Sequence, residues 1–392
     1  MGVNFKSIMK HLFVISLWVL VSSLTGSTYA QTAGPMKIAV FAPVYIDDAF
    51  NNGNYSLGNN NIPKNILPGL DFYNGIQLAI DSLQAEGQQL EILFFDLKNK
   101  QETLEKLIQS GKLNGTALLI ASFNNRADIK PLADYAKSKQ IPLISSTYPN
   151  DAGIRSNPFF ALVNPTLITH IEGLYKYLQK NYPTDPIIYV KKSGQLEDMI
   201  EQTFLELNKK TPALPLKLKS ISVTDSINIA LYNSTLDSTR TNIILCGTVN
   251  EGFGINLVKS VAANKSYKSI VLGMPTWDAI KDLGKGTEII YSTPFNYNRT
   301  DKLLQSISTQ YRNKLQGRPS DMVFKGFESL YHFGKLLLKY PNNLATQLSD
   351  NSFKIFNEYD FVPVLQNGEI SYLENKKLYF VRKSDGIIKS VQ

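Results

Sequence analysis

The chain of 392 residues holds one cysteine, Cys246, and only three histidines. One thiol excludes an intramolecular disulfide, and a chain this long can bury a core without such staples. Cys246 stands in the apolar run 243–247 and reads as a small buried hydrophobe. His170 and His332 fall on separate predicted helices, far apart in sequence, and read as core or surface histidines. No Cys/His spacing suits zinc, and neither a Gly-x-Ser-x-Gly elbow nor a P-loop occurs. Gly252-Phe253-Gly254 lacks the third glycine of a dinucleotide fingerprint. The expectation is a protein without catalytic set, metal or cofactor. An exported hydrolase would need a carboxylate pair such as Asp47 with Glu251 converging across a cleft, and Asp47-Asp48 reads instead as a solvated loop pair.

Charge is mild: 41 Lys and Arg stand against 33 Asp and Glu, without clustered basic runs, which argues against nucleic acid as a partner. Lys191-Lys192 and Lys376-Lys377 are isolated pairs and read as solvated turns. Long apolar runs are also missing, with one exception at 12–24 (LFVISLWVLVSSL). Lys6 and Lys10 precede that run, and Ser27-Thr28-Tyr29-Ala30 follows it with small residues at peptidase-reading sites. At 1.5 Å per residue the run is too short for a ~30 Å hydrocarbon core. Residues 1–30 therefore read as a cleavable export signal, cut before Gln31. No cysteine follows to carry a lipid anchor, so the expectation is a freely diffusing periplasmic protein without stable membrane insertion.

From Met36 onward, short apolar runs alternate with amphipathic stretches. Strands are expected at 37–42, 90–95, 116–121 and 141–145, with helices at 68–84, 102–110 and 127–138 between them. Such alternation implies a parallel sheet covered on both faces. Two Asn-Pro pairs, Asn157-Pro158 and Asn164-Pro165, mark a break. The rhythm then restarts with helices at 166–181, 196–209, 226–232 and 252–263, and strands at 187–191, 216–223, 242–246, 269–272 and 288–292. Two long helices, 301–315 and 321–339, follow without an intervening strand. Strands at 353–356, 362–364 and 378–382 and a turn at Asp385-Gly386 end the chain. The expected division is 36–159 plus 296–350 in one lobe and 160–295 plus 351–392 in a second, with three crossings forming a hinge.

Open α/β sheets bind ligands just beyond the carboxyl ends of their strands. In the first lobe those positions hold Tyr45, then Ser122, Phe123 and Asn124, then Ser145, Ser146 and Thr147. In the second they hold Lys192, Asn250 with Glu251, and Trp277. Several lie at or beside a helix N-terminus, whose open N–H groups and positive dipole end suit a carboxylate.

The order and spacing of several segments resemble the type I periplasmic binding proteins, in particular the branched-chain amino acid ABC-transporter group. These are KIAVFAPV, FYNGIQLAIDSL, TALLIASFNNRADIKPLADYAKSKQIPLISST, NPFFALVNPT, IILCGTVNEGFGINLVKSV, RPSDMVFKGFESLYHFGKLL and YFVRKSDGIIKSV. The resemblance implies an α/β fold of two Rossmann-like parallel-sheet lobes joined by a three-strand hinge. It also implies closure on a small amino acid-like solute, for an ABC permease or for sensing. Ser122, Ser146 and Thr147 resemble the set that holds the carboxylate, and Glu251 the acid that takes the ammonium. The family's aromatic after the first strand of lobe two is absent from Lys191-Lys192-Ser193-Gly194-Gln195. The Asn-rich segment 48–67 is an insertion at the cleft lip, either a lid or a disordered loop. The other reading is a ligand-free scaffold or regulator of cell-envelope synthesis with an envelope protein as partner, a reuse known within the family.

Overall fold

A computed structural model describes residues 34–51, 53–58, 62–223, 234–279, 287–296 and 301–391. The expected export signal and the helix expected at 226–232 lie outside the described residues. Buried apolar strands form two seven-stranded sheets.

The first sheet starts with β1 (Met36–Ala42), whose last five residues are fully buried. An apolar run of that kind belongs in the middle of a sheet covered on both faces. After the small hairpin of β2 (Phe50–Asn51) and β3 (Asn54–Tyr55) come β4 (Leu90–Asp96), β5 (Thr116–Ala121), β6 (Leu143–Ser145) and β7 (Phe160–Leu162). Their spatial order is β7-β6-β5-β1-β4, and β1, β5, β6 and β7 pair in parallel. The second sheet is built from β8 (Pro186–Lys192), β9 (Lys217–Val223), β10 (Asn242–Cys246), β11 (Ser269–Gly273) and β12 (Glu288–Thr293), in the order β12-β11-β10-β8-β9, all parallel.

Helices connect the strands and cover the faces: α1 (Ile46–Ala49), α2 (Leu67–Ala85), α3 (Leu104–Gln109) and α4 (Ile129–Lys139) on the first sheet, then α5 (Leu167–Asn181), α6 (Gln195–Lys210) and α7 (Glu251–Ala263) on the second. The chain continues with α8 (Lys302–Leu315) and α9 (Asp321–Lys339). Helix α9 returns to lie along α2. A Cβ on Gly75 would sit 2.0 Å from the carbonyl oxygen of Val323, and one on Gly326 would sit 2.2 Å from that of Phe72. Only glycine permits this approach.

Four strands close the chain: β13 (Phe361–Gln366), β14 (Glu369–Asn375), β15 (Tyr379–Ser384) and β16 (Ile387–Val391). β14 adds in parallel to β7, pairing Leu373 with Ala161 and Glu374 with Leu162, and β13 pairs antiparallel outside it. β15 adds antiparallel to β12, with β16 outside it.

Strand pairing corrects the expected lobe boundaries. β7 was expected in the second lobe but pairs with β6 in the first sheet, where its three buried apolar residues find a ladder partner. Residues 361–375 also belong to the first sheet, because β14 takes the edge that β7 leaves open. The chain thus passes between the sheets after β7, after β12 and again between β14 and β15. Residues 353–356 form no strand. The N–H groups of Phe356 and Asn357 donate to the buried Glu328 carboxylate of α9, at 3.0 and 2.8 Å, in place of a neighbouring strand.

Candidate functional site

The last passage fixes how the sheets face each other. β14 runs parallel to β7, so Asn375 ends at the carboxyl edge of the first sheet. β15 runs antiparallel to β12, with Tyr379 opposite Thr293, so it begins at the carboxyl edge of the second. Only residues 376–378 separate them. Four Cα steps reach at most about 14 Å, so the two carboxyl edges meet across a narrow gap at this end.

Hydrogen bonds knit the passages together. Glu374 is buried, and its Oε1 accepts from the Thr166 N–H and the Thr169 hydroxyl, both at 2.7 Å. Lys376 donates to its Oε2 at 2.7 Å. Burial alone would push this carboxyl up; the bonds from Lys376, Thr169 and Thr166 outweigh it and hold the group below its ordinary value. Asn375 Nδ2 donates to Val163 O at 3.1 Å, joining the third passage to the first. Asn357 Oδ1 accepts from the Asn296 N–H at 2.7 Å, tying in the second. Glu328, which receives the neighbouring N–H groups, has its carboxyl pushed up by burial, those bonds opposing the rise. These residues carry no signal in sequence, because their partners lie as far as 212 positions away.

On the first edge Tyr45 holds a left-handed backbone (φ 58°) ahead of α1, a conformation uncommon for a non-glycine residue. Its hydroxyl accepts from Asn124 Nδ2 at 2.8 Å. Asp96, at the end of β4, fixes the approach by accepting from the N–H groups of Val44 and Ile46, at 2.9 and 2.8 Å. Ser122 Oγ lies 3.3 Å from Thr147 Oγ1, which donates to Phe123 O at 3.1 Å. A hydroxyl has one proton, so Ser122 is the donor to Thr147. Tyr45 is thus brought to Asn124, and Ser122 to Thr147.

Ser122 is itself buried, and the other expected residues of this edge face inward. Ser146 accepts from the Ser329 hydroxyl of α9 at 3.0 Å, within the core. Ser145 is wholly buried, and Phe123 belongs to the buried core cluster that also holds Phe41 and Leu119. Alternation sends consecutive side chains to opposite faces of the sheet, and both faces are covered.

On the second edge Asn250 caps α7, its Oδ1 accepting from the Phe253 N–H at 2.9 Å. Glu251 is exposed in the first turn and Lys192 is partly exposed. Trp277, expected at the cleft, is instead wholly buried against the backbone of Gly254 and Gly273. A Cβ on Gly273 would sit 2.0 Å from the indole, so the small residue makes room for the ring. Lys191 does not lie in a solvated turn. It is buried and bonds Asp198 at 2.6 Å and Glu201 at 2.5 Å. Thr248 donates to the buried Glu197 at 2.6 Å. Asp47 and Asp48 both engage Lys100, through its N–H at 2.7 Å and its ammonium at 2.5 Å. Among the described residues no three His, Cys, Asp or Glu side chains group as a metal site would require. Among them, too, no helix is long and apolar enough to cross a membrane.

No protein-family model matches the chain, and no curated protein matches it. Solved structures do. A putative branched-chain amino acid ABC transporter protein from Rhodospirillum rubrum aligns with TM-score 0.65 at 10% identity, covering 91% of this chain and 100% of its own. An ABC transporter substrate-binding protein from Desulfitobacterium hafniense, in complex with Leu, aligns with TM-score 0.54 at 14% identity, over 91% and 100%. The branched-chain amino acid transporter substrate-binding protein LivJ from Streptococcus pneumoniae, in complex with isoleucine, gives 0.51 at 14%, over 91% and 99%. Two parallel-dominated sheets, three passages between them and these alignments together give the chain the type I periplasmic binding protein fold.

Proposed function

We propose that this chain is an exported, non-enzymatic solute-binding protein that closes its lobes on a small amino acid-like ligand in the periplasm, for delivery to an ABC permease or for sensing. The observation that carries the reading is the meeting of two carboxyl edges across a three-residue connection. On this reading Tyr45, Ser122, Asn124 and Thr147 contribute from one side and Lys192, Asn250 and Glu251 from the other. The similar structures that hold Leu or isoleucine support the ligand class. Closure requires the passages to flex as a hinge.

Denaturant unfolding in L-leucine, L-isoleucine and then a wider amino acid panel tests it. A ligand at a hundred times its dissociation constant adds about 2.7 kcal/mol. A panel without stabilisation would overturn the reading.

One observation favours a second reading, an envelope scaffold that binds no small solute. Phe123 and Trp277 are in the core, and the Ser122 and Thr147 protons are already committed within the first lobe. A protein partner recovered by crosslinking, with no solute in native mass spectrometry, would favour it.

A further inference from the structure

A cavity of about 720 Å³ lies where the second and third passages meet the outer strands of the second sheet. Its volume falls within the range of small-molecule sites, about 300–1,000 Å³. Lys354, Glu358 and Phe356 line one part, and Lys377, Leu378 and Tyr379 another.

Two lysines and two carboxylates line the cavity, and both lysines pair with the same carboxylate. Glu358 is the shared partner of both lysines, through Oε1 to Lys354 at 2.5 Å and Oε2 to Lys377 at 2.6 Å. The two ammonium groups hold the Glu358 carboxyl down at about 2, so it stays ionised across the neutral range. Asp301 also lines the cavity, but its Oδ1 is turned to the start of α8 and accepts from the N–H groups of Leu303 and Leu304, at 2.8 and 3.2 Å. Two cations therefore share one carboxylate. Each ammonium has three donors, and one contact to Glu358 leaves capacity for a second anion.

Tyr379 adds a neutral donor. Its oxygen accepts from the Glu358 N–H at 2.7 Å, which leaves its own proton for an acceptor. Burial pushes this phenol up to about 12, so it keeps that proton. Leu378, Phe356 and Val391 supply apolar surface beside these groups.

We infer that this cavity is a second ligand site, for a small organic anion that joins a carboxylate to an aromatic or branched aliphatic body. The carboxylate sits between Lys354 and Lys377, and the apolar body lies along Leu378 and Phe356. The site uses none of the residues expected to hold a solute in the cleft.

Calorimetric titration with 3-phenylpropanoate tests this, with 3-phenylpropan-1-ol as the uncharged control. The acid should bind, the alcohol at least tenfold more weakly. Lys354→Met with Lys377→Met should weaken the acid tenfold or more. Glu358→Gln removes the competing carboxylate and should tighten it severalfold, so the test survives if the double variant fails to fold. Glu251→Gln, in the cleft, should leave binding of the acid unchanged. Absence of binding, equal binding of the alcohol, weaker binding by Glu358→Gln, or a loss caused by Glu251→Gln would each overturn the assignment.

Discussion

Glu374 of β14 accepts the hydroxyl proton of Thr169 on α5 at 2.7 Å, a bond from the last strand of the first sheet to the first helix of the second. The residues are 205 positions apart, yet the contact is buried and shared with Lys376. Removing the carboxylate strands the Thr166 N–H and leaves Lys376 without its anion. Glu374→Ala should cost about 3 kcal/mol, as removal of one partner of a buried pair does. Urea midpoints at pH 7 would check this. A loss below about 1 kcal/mol would show that the network adds little to stability.

The α2–α9 contact gives a second expectation. A methyl at Gly75 would meet the Val323 carbonyl at 2.0 Å, and backbone cannot yield as a side-chain tip can. Gly75→Ala should destabilise by at least about 2 kcal/mol despite the better helix propensity of alanine. Gly252→Ala serves as the control, because its nearest neighbour is 3.5 Å away. Equal melting temperatures for the two variants would contradict the packing.

Buried histidines set the acid limb of stability. Burial holds both His170 and His332 at about 4, below their ordinary 6.5. The unfolded chain then binds more protons between those values, so stability falls as pH drops from 6.5 towards 4, by about 3 kcal/mol for each group. Glu374, held low, adds a loss at the acid end. Glu328, pushed up by burial, works in the opposite sense, its contribution being lost as pH rises. His332 packs against the Phe333 and Tyr359 rings, so His332→Phe should fold and flatten the limb. Melting temperatures at pH 7 and 4.5 would decide it; an unchanged difference between the two would refute the histidine assignment.

Much of the fold was legible because buried parallel strands leave unbroken apolar runs, as in β1, β5 and β10, and surface helices leave a 3.6-residue stripe. The helix expected at 321–339 has those bounds. Illegible parts depended on distant partners. β14 reads as mixed polar sequence, and only the open edge of β7 makes it a strand. Its turn, Asn367-Gly368, has both residues at positive φ, the same signal as the expected Asp385-Gly386 turn. In the candidate site, strand ends were identifiable but side-chain direction was not. Ser145 and Ser146 face inward beside Thr147, and Trp277 fills space that Gly254 and Gly273 leave empty.

Glu251 is the group most open to a direct test of the proposed solute binding. It is exposed in the first turn of α7, where a negative charge complements the helix dipole by only a few tenths of a kcal/mol. Glu251→Gln should therefore leave the melting temperature nearly unchanged. If Glu251 takes the ammonium of an amino acid, the variant loses a charge-assisted bond of about 1.5–3 kcal/mol, or roughly 10–100-fold in affinity. A solute lacking the amino group loses nothing by the same change. Titrating L-leucine and 4-methylpentanoate against both proteins separates these effects. Weakening confined to L-leucine places the ammonium at Glu251; equal affinities for both proteins would move it to another residue of the second edge.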